Sequence, residues 1–128
     1  MEKSGKKFSM YARFASFKPA IRGTKFVLLN EHNAQIHLGA ALSAIILGIV
    51  FKIGKTEWLV IHLCFGWVLA VQILNSAVEK MVDFVSPGIN EKARLIKDIS
   101  AGSVLVAAVI SLMAGLIIFI PHVIAAVK

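Results

Sequence analysis

Long apolar runs separated by short polar interruptions organise this chain and predict its elements. Runs over 36–53, 58–85 and 99–124 come close to or pass the roughly 20 residues that cross a bilayer core about 30 Å thick. Ahead of them, Phe8, Tyr11, Phe14 and Phe17 recur at every third position while Arg13, Lys18 and Arg22 fill other positions. That pattern predicts an amphipathic helix over 8–22 lying on a membrane surface, with Pro19 stopping or bending it near Lys18. The polar patch Asn30-Glu31-His32-Asn33 introduces the first apolar run, and a short connection with Lys52, Gly54 and Lys55 leads to Trp58, a residue type favoured at membrane interfaces. Pro87-Gly88 ends the second run, and Pro121 or Lys128 ends the third.

One stripe interrupts the second run. Gln72, Asn75, Ser76, Glu79 and Asp83 are spaced by three or four residues, so they share one helix face. Polar groups at membrane depth are costly and mark a functional site by default. Counting about 20 residues inward from an interfacial Trp58 brings the chain near Ala77. Glu79 then lies at the opposite interface, and Gln72 about 10 Å deeper.

Composition strengthens this picture. With 58% hydrophobic residues and a mean hydropathy of +0.80 in 128 residues, the chain is far from an ordinary soluble domain. The expected fold is an all-α membrane protein, one membrane domain over 1–128 with a surface helix and three transmembrane helices. The single cysteine, Cys64, excludes an intrachain disulfide or a cysteine metal cluster and reads as a small buried or lipid-facing side chain.

The net charge of +7 reads as membrane topology and attraction to anionic headgroups rather than nucleic-acid binding. Eleven of the 14 lysines and arginines fall in the amino-terminal region (from Lys3 and Lys6 onward), at Lys80, or among Lys92, Arg94 and Lys97. Lys52, Lys55 and Lys128 lie on the other side, which predicts a cytoplasmic amino terminus. No signal peptide is expected, since the basic amphipathic start has neither a short apolar stretch nor a small-residue cleavage site.

This topology gathers Glu31, Glu79, Asp83, Lys97 and Asp98 near one interface although they come from three segments. Converging carboxylates repel unless a cation or proton intervenes, and Mg²⁺ suits one or two carboxylates plus substrate phosphates. A nucleotide carrying Mg²⁺ is therefore a natural guest. Lys97 would then neutralise phosphate charge during transfer. Structural alternatives stand beside each role: Asp98 as a helix cap, Lys97 as a headgroup anchor, and Gln72 and Asn75 as interhelical hydrogen-bond partners. His32, His37, His62 and His122 show no paired ligand spacing, so zinc is not expected. Gly54-Lys55-Thr56 mimics the end of a phosphate-binding loop, but the earlier glycine is Gly48 where Ile49 would have to be glycine.

The block Asn75-Ser76-Ala77-Val78-Glu79 followed by Asp83, then Lys97-Asp98, together with Asn30-Glu31 before the first span, resembles the small prokaryotic diacylglycerol kinases, a family that includes undecaprenol kinases. The resemblance covers most of the chain. It implies a homotrimer in the bacterial inner membrane that transfers the γ-phosphate of ATP to a lipid hydroxyl, with diacylglycerol as the first expected acceptor and undecaprenol as the alternative. It also implies that Glu31 and Glu79 hold Mg²⁺ on ATP, that Lys97, Asp98, Asp83 and Arg13 belong to the nucleotide site, and that Asn75 supports it. Residues 88–90 align with a nucleotide-contacting stretch of different residue types.

Two departures stand out. Pro19 replaces a tyrosine common in the family's surface helix, and Gln72 replaces its general-base glutamate. A glutamine cannot take a hydroxyl proton at neutral pH. A catalytically silent lipid binder or scaffold is therefore a rival reading. A proton-coupled transporter is disfavoured, because no span carries an acidic residue in its central portion.

Overall fold

A computed structural model describes residues 7–128, and among them it contains helices and no strand. Lys3 and Lys6, counted above toward orientation, lie outside the described residues. The helices are α1 (Met10–Ala15), α2 (Phe17–Asn30), α3 (His32–Val50), α4 (Lys55–Val85) and α5 (Glu91–Val127). The last three are long and apolar enough to cross a membrane.

The expected surface helix over 8–22 is two helices instead, and the break is not where proline was expected to put it. Ser9 caps α1 by accepting from the Ala12 N–H, and Ser16 interrupts the chain, its hydroxyl donating to Arg13 O at 2.6 Å. Pro19 sits in the first turn of α2, where a backbone N–H has no helical acceptor anyway, so the helix continues through it to Asn30. Phe8, Tyr11, Phe14, Phe17 and Ile21 remain exposed, as a membrane-lying surface requires.

The other boundaries also shift. Helix α3 begins at His32 rather than at 36, α4 at Lys55 rather than at 58, and α5 at Glu91 rather than at 99. Helices outrun their apolar stretches because the flanking polar turns keep helical geometry and find caps. Asn90 Oδ1 accepts from the Lys92 and Ala93 N–H groups, so Asn90 caps α5 and Asp98 lies two turns inside it. Pro121 does not end α5, which runs on to Val127.

Helix α4 is the central element, packing most extensively on α5 and then on α3, whereas α3 and α5 barely meet. At one end a small apolar core of Ile53, Ile61 and Ile118 gathers Phe51, Trp58 and Phe119 around the α3–α4 turn. That turn is sharp. Lys52 adopts a left-handed backbone (φ 51°) and the Ile53 N–H returns to Gly48 O at 3.1 Å. Glu57 then does two jobs, accepting the Gly54 N–H at 2.7 Å and meeting His122 Nε2 at 2.9 Å, which ties the start of α4 to the end of α5. The His122 ring also stacks on Phe51 at 6.0 Å.

Candidate functional site

At the opposite end, Glu31 is the single residue between α2 and α3, in extended backbone (φ −114°, ψ 120°). The Asn30 side chain closes α2 by donating to Phe26 O at 2.8 Å, and the chain turns there, aiming the Glu31 carboxylate at α4. Gln72 Nε2 donates to Glu31 Oε2 at 3.2 Å, and Ser76 Oγ donates to Glu31 Oε1. Lys80 Nζ stands 3.8 Å from the same Oε1 and 4.8 Å from the centre of the Phe26 ring. One carboxylate thus receives three successive turns of α4.

The stripe predicted as one face meets two neighbours. Gln72 and Ser76 turn toward Glu31, whereas Asn75 and Glu79 turn toward α5, with Asn75 Nδ2 and Glu79 Oε1 3.5 Å apart. Asp83, one turn further, accepts from Lys97 Nζ at 2.8 Å. At 100° per residue the five positions share an arc of about 100°, with Asn75 and Ser76 at its two edges, so a single face meets the Glu31 turn along one edge and α5 along the other.

Gln72, Asn75 and Ser76 are almost fully buried at 1%, 4% and 1% exposure, yet Gln72 Oε1 and Asn75 Oδ1 have no hydrogen-bond partner among the described residues. Buried oxygens without partners are uncommon in a folded protein and call for a ligand or ion. Gln72 and Asn75 line a cleft of about 240 Å³ with Asn33, His37, Glu79 and the α5 residues Ala101, Val104, Leu105 and Ala108. The protein therefore presents carboxylate and amide oxygens to one cleft along two turns of α4. Among the described residues, no group of three or more His, Cys, Asp or Glu side chains could hold a metal by itself. Such a donor set fits a hard cation that brings most of its own shell, as Mg²⁺ does on nucleotide phosphates.

The structure pairs Gln72 with Glu31, Asn75 with Glu79 and Asp83 with Lys97, while two predicted residues stand apart. Arg13 holds its guanidinium 5.6 Å from the Phe8 ring, within the exposed α1 region. Asp98 is exposed and forms no ion pair among the described residues. Lys80 and His37 were not singled out as site residues by the sequence, whereas Ser76 was read as a member of the polar stripe without a role of its own. Lys80 follows Gln72 and Ser76 at a further i+4 step, a signal that could have found it, whereas His37 carried none.

Beside this geometry, the sequence profile of prokaryotic diacylglycerol kinases matches residues 18–119. The chain is 38% identical over 108 residues to an undecaprenol kinase of Bacillus subtilis, a match covering 84% of this chain and 88% of that protein. It is 28% identical over 107 residues to a diacylglycerol kinase of a Synechocystis species, covering 83% of this chain and 61% of that protein. A multi-pass helical membrane protein with a polar site at one end is the class defined by the fold. Within that class, the chain belongs to the prokaryotic diacylglycerol kinase family.

Proposed function

We propose that this protein is an ATP-dependent lipid kinase, transferring a phosphoryl group to the hydroxyl of a membrane lipid at the end of the bundle marked by Glu31 and Glu79. The observation that carries the reading is the junction at Glu31, where a carboxylate between two helices meets Gln72, Ser76 and Lys80 beside a cleft holding Asn75 and Glu79. Family membership supports the same chemistry.

In this reading Glu31 and Glu79 hold Mg²⁺ together with ATP, and the cation's contribution is to offset phosphate charge. Lys97, steadied by Asp83, supplies a cationic donor to the phosphates from α5. Asn75 keeps the Glu79 carboxylate in place and offers its unpartnered oxygen to the cleft. Arg13 and Asp98 join the nucleotide site only if another copy of the chain or bound nucleotide brings them in, and a homotrimer in the bacterial inner membrane with its amino terminus in the cytoplasm supplies such a copy. The outward apolar surface of α3, α4 and α5, which includes Leu59, Leu63, Trp67, Leu112 and Ile117, suits both lipid and neighbouring copies.

Diacylglycerol is the acceptor expected from the sequence. The higher identity to an undecaprenol kinase supports a second reading in which undecaprenol is the acceptor. Transfer of radiolabelled phosphate from ATP to each lipid in mixed micelles decides both questions. Labelled lipid phosphate with either acceptor is the expected result, and Mg²⁺-dependent ATP binding without transfer to any lipid would replace this reading by the silent binder.

A further inference from the structure

Gln72 leaves the proposed reaction without the carboxylate that would take the acceptor's proton, and we infer that His37 of α3 is the residue that takes it. The inference rests on the lipid-kinase reading above and concerns one atom transfer within it.

The cleft beside Gln72 holds few groups able to take a proton. Its polar lining consists of Asn33, His37, Gln72, Asn75 and Glu79. Amide side chains do not accept a proton near neutrality, which removes Asn33, Gln72 and Asn75. Glu79 is committed to the nucleotide-borne cation in the proposed site. His37 is what remains, and imidazole is the side chain whose ordinary titration lies nearest neutral pH, where a general base works best.

Position supports the same residue. An apolar groove of about 430 Å³ runs between α3, α4 and α5, lined by residues such as Leu47, Cys64, Val68 and Phe119. His37 and Ala108 line both this groove and the polar cleft, so they form the doorway between them. A lipid whose chain occupies the groove presents its hydroxyl to the cleft past His37. The half-buried imidazole has no hydrogen-bond partner among the described residues, leaving a ring nitrogen available. The titratable groups lining the two spaces with it are Glu79 and Cys64 of α4; α5 contributes none, and α2 does not reach either space.

The step balances simply. The acceptor oxygen bonds to the γ-phosphorus as its proton passes to His37. The bond from that phosphorus to the β–γ bridging oxygen breaks, its electron pair leaves with ADP, and the imidazolium releases the proton to water.

The test measures lipid phosphorylation against pH for the wild-type chain, His37→Gln, Gln72→Glu and the double variant, with undecaprenol and dioctanoylglycerol as acceptors. Wild-type turnover should rise with pH somewhere between about pH 5 and 8, the interval in which histidine side chains change charge. His37→Gln should lose about 100-fold in kcat or more with Mg²⁺·ATP affinity unchanged, and Gln72→Glu should restore activity in the double variant. In parallel, excess acceptor should slow modification of His37, but not of His62 or His122, by diethyl pyrocarbonate. A wild-type chain that transfers phosphate with a flat profile across that range, or a His37→Gln chain within threefold of it, overturns the role of His37 and leaves the kinase reading standing. If His37→Gln fails to fold, the wild-type profile and the protection experiment decide alone. A wild-type chain with no transfer to either lipid overturns the kinase reading itself, and the His37 role with it.

Discussion

Gln72 donates to Glu31 across 41 positions of sequence, Nε2 to Oε2 at 3.2 Å, and this amide–carboxylate contact joins the start of α3 to the buried middle of α4. An amide is a neutral donor there. Gln72→Glu would set a second carboxylate against Glu31 in a place where Gln72 is 1% exposed. Two such charges cannot both ionise cheaply, so the variant should lose about 3 kcal/mol near pH 8 without divalent cation. Acidification or millimolar Mg²⁺ should recover the loss. Thermal unfolding in detergent, at two pH values with and without Mg²⁺, checks this; a variant as stable as the parent in every condition contradicts it.

Glu79→Gln removes a charge without removing the shape that Asn75 touches at 3.5 Å. Folding should be preserved. Mg²⁺-dependent ATP binding should fall at least tenfold, since one of two anionic oxygen donors is gone. Equilibrium binding of a fluorescent ATP analogue with and without Mg²⁺ measures it, and an unchanged affinity would end the metal role assigned to this residue.

The Lys97–Asp83 ion pair is short, 2.8 Å, but its partners are 36% and 65% exposed. Exposed pairs add little to stability. Lys97→Met should leave the thermal midpoint within error of the parent while lowering turnover about 100-fold, because the lost charge matters only when phosphate charge develops. Equal loss of stability and activity would recast Lys97 as a structural anchor.

Gly48 allows the ring of Trp58 to lie against α3. A methyl group on Gly48 would meet Trp58 Cη2 at 2.8 Å and Ile53 Cδ1 at 3.0 Å, closer than side chains pack. Gly48→Ala should destabilise by about 1–3 kcal/mol. Gly66, with nothing within 4 Å of the same added atom, serves as the control. Thermal unfolding of Gly48→Ala and Gly66→Ala side by side is the measurement, and equal stability of the two would mean the Trp58 contact relaxes freely.

The spans were legible because burying or lipid-exposing a long helix demands an unbroken apolar run, and nothing local competes with that demand. Their ends were not, since helix geometry extends into flanking polar turns: Asn90 caps α5 well ahead of its apolar stretch, and α3 starts directly after the extended Glu31, whose side chain makes no cap. Pro19 misled for a related reason. The penalty of a proline depends on which turn holds it, and Ser16 had already moved the start of α2 upstream. In the site, Glu31, Gln72, Asn75 and Glu79 were evident as costly polar groups, while the neighbour that each edge of the α4 face meets needed the actual packing. The Glu57–His122 contact, 65 positions apart, left no periodic trace at all.

Helix α5 continues unbroken for 37 residues, about 55 Å at 1.5 Å per residue, against a hydrocarbon layer about 30 Å thick. A bilayer centred on its apolar stretch would leave Glu91, Lys92, Arg94 and Lys97 clear of the oil, beside the overhang of α4 with Asp83. Two pillars thus stand with their feet among acyl chains and their heads in water. In the proposed reaction a dissolved nucleotide and a dissolved-in-fat alcohol would meet on them without either one changing phase.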